Sequence, residues 1–182
     1  MAFFGDNKVG KTSLFNYFLK GKSTKKYKKT ENIYKTSKVN LIEDLIVFKK
    51  KQFKLYDTPG NRKVMEYTKN SFTHQDCFLL MYDITKKKSF ENIKKFWLPF
   101  ANKAYRVRHQ LQKEENGPVI LIGNKFDANE RRQVKKEYAE QFARENKIAF
   151  IEISVQSHIN IGNLTSIISE ILERDKDYFY YY

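Results

Sequence analysis

Gly5-Asp6-Asn7-Lys8-Val9-Gly10-Lys11-Thr12 spaces two glycines, a lysine and a hydroxyl between a short apolar run and a helical one, with Ser13 following. That spacing suits a loop that wraps phosphate. Glycine lacks Cβ, so the chain can bend until successive backbone N–H groups face one anion. Lys11 then reaches the outer phosphates, and the Thr12 hydroxyl suits a Mg²⁺ ion that bridges them. The next helix points its N-terminus at the same anion. Residues Gly5 to Ser13 are therefore candidate nucleotide-binding residues.

A second motif selects the base. Asn124-Lys125-Phe126-Asp127 follows the apolar run Val119-Ile120-Leu121-Ile122-Gly123, as a loop at the end of a buried strand does. Guanine offers two adjacent donors, N1–H and N2–H₂, which one carboxylate accepts together, whereas adenine has no such pair. Asp127 is the expected guanine reader. Alone, the motif is also a polar turn after a strand; behind a phosphate loop it reads as base recognition.

The elements that must hold these loops are legible from periodicity. Alternation and short apolar runs recur near 2–4, 39–47, 53–57, 77–83, 118–123 and 148–153, with helical spacing between most of them. Phe90, Ile93, Phe96, Trp97, Phe100, Ala101 and Ala104 form one helix face, disturbed at Pro99. Leu164, Ile167, Ile168, Ile171 and Leu172 form another, and both stripes read as core. Strands alternating with helices predict an α/β fold: a mainly parallel six-stranded sheet with helices on both faces and the ligand at the strand ends. A chain of 182 residues suffices for one core, and no linker, repeat or second domain is visible. No run approaches a transmembrane length and no signal peptide is evident. The one cysteine, Cys77, opens the run Phe78-Leu79-Leu80-Met81 and is expected to be a buried strand residue, as in a reducing cytosol.

With these motifs in place the chain resembles the Ras superfamily of small GTPases over nearly its whole length. The resemblance implies the small G-protein form of the P-loop NTPase fold over residues 1–174, with a short tyrosine-rich tail at 175–182. Asp57-Thr58-Pro59-Gly60 is similar to the family's D-x-x-G loop, where Asp57 would hold Mg²⁺ through water and the Gly60 N–H would contact the γ-phosphate. Thr30, eighteen residues after Thr12, stands where the first switch places a threonine that caps Mg²⁺. The implied metal set is Thr12, Thr30 and Asp57. Glu152-Ile153-Ser154-Val155-Gln156 occupies the place of the E-T-S-A-K loop. There Ser154, Val155 and Gln156 would flank the base, with the Val155 N–H toward the guanine oxygen. Leu80-Met81-Tyr82-Asp83-Ile84-Thr85, Ser89-Phe90, Asn92 and Tyr27 are similar to the Rab branch. Glu31-Asn32-Ile33-Tyr34-Lys35 and Lys54-Leu55-Tyr56 depart from it.

Departures bear on mechanism. A glutamine after the D-x-x-G glycine orients the attacking water in such enzymes, and here that position is Asn61. Asparagine keeps the amide but is one methylene shorter, so slow intrinsic hydrolysis is expected, with Asn61, Gly60 and Lys11 as the catalytic set. Pro59 fixes backbone where alanine is usual. Lys8 replaces a small residue, and either adds charge near the phosphates or points to solvent. Ser23 falls where the family often stacks an aromatic on guanine.

The net charge of +14 opens another class of function. Lys20, Lys22, Lys25, Lys26, Lys28 and Lys29 precede Thr30, and Lys49-Lys50-Lys51, Lys86-Lys87-Lys88 and Arg131-Arg132 add further runs. Such charge attracts anionic lipid or nucleic acid. A compositional bias toward Lys, Asn, Ile, Phe and Tyr, with the runs mostly in predicted loops, is the stronger account, and no RNA-binding signature is present. Only Ala2-Phe3-Phe4 precedes the loop, an unusually short first strand that suggests truncation, and Tyr178-Phe179-Tyr180-Tyr181-Tyr182 carries no lipidation motif. The expectation is a Rab-like GTPase switch using Mg²⁺ with GTP and GDP. It would be cytoplasmic or peripheral on endomembranes, where it serves vesicle trafficking. An exchange factor, a GTPase-activating protein and effectors would meet it through residues 22–36 and 57–75, with weak anionic membrane contact and no specific nucleic acid. The alternatives are a nucleotide-holding module with little turnover and, more distantly, a basic nucleic-acid-binding domain on the same fold.

Overall fold

Aliphatic runs with no polar alternation, such as Val119-Ile120-Leu121-Ile122, are stable only where both faces of a strand are covered. The computed structural model provides that environment. It describes residues 1–20, 34–35, 39–40, 52–53, 55–62, 75–109 and 117–178. Its main sheet comprises β1 (Ala2–Phe4), β2 (Tyr34–Lys35), β5 (Tyr56–Asp57), β6 (Phe78–Asp83), β7 (Val119–Asn124) and β8 (Ala149–Glu152). Their order is β2-β5-β1-β6-β7-β8, parallel except for β2, which runs antiparallel to β5 at the edge. A small second ladder pairs β3 (Val39–Asn40) with β4 (Gln52–Phe53). The strand expected at 39–47 thus pairs outside the main sheet where it is described, and the edge is supplied by Tyr34–Lys35 instead. The segment expected as one strand at 53–57 contributes to both ladders. Alternation specifies a strand's faces but not which ladder it joins.

Side chains alternate across the pleat, so each strand feeds two cores. On one face Phe3, Leu79, Met81, Ile120 and Ile122 pack against Leu14 and Phe15 of α1 (Lys11–Lys20) and Leu164, Ile168 and Leu172 of the C-terminal helix, α5 (Ile161–Tyr178). On the other, Phe4, Phe78, Leu80, Tyr82 and Leu121 meet a composite helix and α4 (Lys136–Glu145), which buries Ala139 and Ala143. Each fully buried Leu, Ile or Phe stabilises by about 1.5–3 kcal/mol relative to exposure. Cys77 is buried, as expected of a strand-start residue.

The composite helix joins α2 (Lys87–Asn92), a π-turn (Ile93–Trp97) and α3 (Leu98–His109). Its expected stripe is in the core: Phe90, Ile93, Trp97, Ala101 and Ala104 are buried, and Phe96 and Phe100 are partly so. The disturbance lies just ahead of Pro99. Proline has no N–H for the carbonyl four residues back and its ring crowds that carbonyl, so the chain widens there, with Leu98 N–H bonded to Ile93 O. None of the described helices is long and apolar enough to cross a membrane.

Candidate functional site

β1 delivers the chain into Gly5, whose φ of 144° lies in the positive region and whose Cβ, if present, would stand 2.2 Å from the Met81 carbonyl oxygen. Only glycine makes this turn. Gly10 has φ 110°, and a Cβ there would meet Asn124 Nδ2 at 2.1 Å. Between them Lys8 holds φ 67° without being glycine, a conformation that costs about 1–2 kcal/mol. Lys8 is exposed. Lys11 opens α1, and its Nζ donates to the carbonyls of Gly5 and Asp6, each at 2.8 Å. Burial pushes the Lys11 pKa down to about 8, against the opposing pull of Asp57 and Asp6. The ammonium is held within the loop by neutral carbonyls, and an anion placed there would stabilise its charge.

Thr12 Oγ1 donates to Asp57 Oδ2 at 2.6 Å, joining the start of α1 to the end of β5. Asp57 is fully buried, and Thr58 beside it donates its hydroxyl to Phe3 O, tying this loop to β1. The hydroxyl and carboxylate form an oxygen-only donor pair, the chemistry a hard cation such as Mg²⁺ takes. Among the described residues no group of three or more His, Cys, Asp or Glu forms a self-sufficient metal cage. Mg²⁺ characteristically needs none, because it keeps waters and takes substrate phosphates as ligands, so Thr12 and Asp57 fit the ion. Gly60 presses on the phosphate loop: a Cβ there would stand 2.3 Å from Asn7 N. Asn61, next in sequence, is exposed.

The base-reading loop leaves β7 with Asn124 buried. Asn124 Nδ2 donates to Val9 O at 2.8 Å, and its Oδ1 accepts the Val155 N–H at 3.2 Å. The Val155 N–H, expected to address guanine, is thus engaged by Asn124. Lys125 has φ 73°, and its Nζ meets Asp83 Oδ2 at 2.5 Å. Burial would raise the Asp83 pKa, but hydrogen bonds from the Lys125 ammonium and from the Thr85 hydroxyl and N–H outweigh it and hold the carboxyl below its ordinary value. Asp127 lies exposed in the turn Phe126–Arg131 and accepts the Ser154 hydroxyl at Oδ1. Ser154 Oγ also accepts the Ser157 N–H at 2.9 Å, and Gln156 is exposed in the same turn. Glu152 is tied elsewhere: Arg132 grips both its oxygens, at 2.6 and 2.8 Å. Arg132, read above as part of a basic run, therefore carries a matched charge.

The structure gathers the phosphate loop, Asp57 to Asn61, Asn124 to Asp127 and Ser154 to Gln156 at the C-terminal ends of β1, β5, β7 and β8. Thr30, Tyr27, Ser23, the lysines at 22, 25, 26, 28, 29 and 49–51, the partner segments at 22–33 and 63–74, and the tail beyond 178 lie outside the described residues. Sequence reasoning did not assign Asp83 as the partner of Lys125, Thr58 as an anchor, or Asn92 and Trp97 as partners of the phosphate loop. Asp83 and Asn92 had a signal, because both stand in the segments that resemble the Rab branch.

Comparison with known proteins agrees with this geometry. The Ras family profile matches residues 1–173. The chain is similar to Ras-related protein Rab-7a of Paramecium octaurelia, 28% identical over 97% of this chain and 83% of the relative. It is also similar to Ras-related protein Rab-13 of Rattus norvegicus, 32% identical over 92% of this chain and 77% of the relative. Ypt/Rab-type GTPase ypt7 of Schizosaccharomyces pombe is 29% identical, over 95% and 81% respectively.

Proposed function

The chain belongs to the Ras family, and from that premise we propose that it is a Rab-like GTPase switch that binds guanine nucleotide with Mg²⁺ and hydrolyses GTP slowly. One observation carries the reading. Asn124 binds the Val9 carbonyl with its amide and the Val155 N–H with its oxygen, so one buried side chain fastens the phosphate loop, the base-reading loop and the β8 loop into a single site.

In this reading the loop amides of residues 6–11 and the N-terminus of α1 hold the phosphates, and Lys11, steadied by the Gly5 and Asp6 carbonyls, turns its ammonium to the phosphate oxygens. Thr12 and Asp57 would hold Mg²⁺, with Thr30 as the third expected contributor; when bound, the ion neutralises charge on the β- and γ-phosphates. Asp127 accepts both guanine donors, and Lys125, fixed by Asp83, flanks the base. Water attacks the γ-phosphorus, the bond to the β,γ-bridging oxygen breaks, and the water's proton leaves with inorganic phosphate or solvent. Lys11 and the Gly60 N–H stabilise the developing charge. Asn61 orients the water poorly because it is short. Loss of the γ-phosphate ends the GTP state, and exchange factor, GTPase-activating protein and effectors act through residues 22–36 and 57–75. Service in vesicle trafficking, at the cytoplasmic face of endomembranes with weak anionic contact, completes the proposal.

The replacement of the water-orienting glutamine by Asn61 and the rigid Pro59 before Gly60 favour a second reading, a module that holds nucleotide with little turnover. Single-turnover phosphate release separates the two. Competition among GTP, GDP and ATP tests the common ground: guanine nucleotides should win by a wide margin, and Asp127→Asn should erode the margin. Equal affinity for ATP and GTP in the unmutated protein would refute both.

A further inference from the structure

Asp6 belongs to the phosphate loop, yet its carboxylate is held from the helical layer. Asn92 Nδ2 donates to Asp6 Oδ2, and Trp97 Nε1 donates to Asp6 Oδ1 at 2.9 Å. Asn92 and Trp97 are five residues apart. In a regular α-helix that spacing turns them about 140° away from each other, too far to serve one carboxylate. The π-turn Ile93–Trp97 lies between them, and its longer repeat brings residues five apart back to one side. The same turn makes a second contact. Phe96, edge-on to Trp97 with ring centroids 4.9 Å apart, lies under the Arg62 guanidinium at 5.5 Å, and Arg62 directly follows Asn61. Gly60, just before them, rests on the Asp6-Asn7 backbone.

We propose that the π-turn is a positioning element for nucleotide binding, in which Asn92 and Trp97 lock Asp6 and thereby set the backbone carbonyls of Gly5 and Asp6 that receive Lys11, while Phe96 holds Arg62 and keeps the Asn61 loop in register. The proposal rests on the guanine-nucleotide reading of the site. Packing alone does not require this arrangement. Trp97 is fully buried against Phe4, and a phenylalanine would fill that space, whereas a buried indole N–H needs an acceptor. A carboxylate receiving two such donors loses its remaining rotamer freedom, and both bonds are charge-assisted.

A double-mutant cycle on the full chain tests it, with Trp97→Phe, Asp6→Ala and their combination. The probe is GDP carrying a fluorescent ribose label, and the readout is its dissociation rate. Trp97→Phe should speed dissociation about tenfold in the parent and less than about twofold in the Asp6→Ala background, where the bond is already gone. Asn92→Ala should repeat the pattern if the Trp97 variant folds poorly. Trp97 is the only tryptophan, so its emission reports the contact without nucleotide: Asp6→Ala should shift it. Equal losses in both backgrounds, or an emission unmoved by Asp6→Ala, would overturn the positioning role while leaving the GTPase reading intact. A parent chain that binds no labelled GDP overturns the function proposed above and this inference with it.

Discussion

The Lys125 ammonium meets the Asp83 carboxylate at 2.5 Å, across the ends of two neighbouring strands. Asp83 closes β6 and pairs in register with Asn124, so the residue after Asn124 is carried directly over it. Lys125 turns at φ 73°, which directs its stem back over the sheet. The Asp83 side chain is fully buried and Lys125 is about one-third exposed, so the bond converts a surface lysine into a fixed wall of the site.

Asp83→Asn should therefore loosen Lys125 and weaken guanine nucleotide binding by about threefold to tenfold, the range for a charge-assisted bond discounted for partial solvent screening. Titration with GDP checks it. The same variant has a pH signature. The folded Asp83 pKa lies below its ordinary value of 3.8, so its stabilisation is present above about pH 4 and is lost as pH falls through the folded value. Urea midpoints measured down the acid limb should fall less steeply in Asp83→Asn than in the parent.

Asn61→Gln should accelerate single-turnover GTP hydrolysis, because the added methylene lets the amide reach a water at the γ-phosphate. GDP affinity should stay within about twofold, since the side chain is exposed and addresses the water rather than the bound diphosphate. Phosphate release after rapid mixing measures the first quantity. A parent already fast, with no gain from glutamine, would assign water positioning to another group.

Gly10→Ala should cost about 2–4 kcal/mol of stability and abolish tight nucleotide binding. Its Cβ would collide with Asn124 Nδ2 and expel it from the Val9 carbonyl, at a φ of 110° that alanine resists. Chemical denaturation and GDP titration read the two losses separately. Gly162→Ala is the control, because a Cβ there meets nothing within 4 Å in the C-terminal helix.

Much of this molecule was legible in its sequence because the information is local. Gly5 and Gly10 declare backbone that only glycine adopts, Lys11 and Thr12 follow at the start of a helix, and the stripe from Phe90 to Ala104 declares the face it buries. Such signals depend on φ, ψ and side-chain direction, which a few neighbouring residues fix. The sequence by itself thus determined the α/β class, the core-facing helix stripes and the order of the loops. Tertiary structure decided the partnerships. Asn124 reaches Val9 across 115 residues of chain, Asp6 is met by Asn92 and Trp97 from 86 and 91 residues away, and Asp83 lies under Lys125. The antiparallel edge at Tyr34–Lys35 was decided in the same way. Each of these depends on strand register or on the rotation of a helix about its axis, and a single extra residue in one turn, as in Ile93–Trp97, redirects a side chain across the molecule. Local pattern specifies what a residue can offer, and only the packed sheet and helices determine which group accepts it.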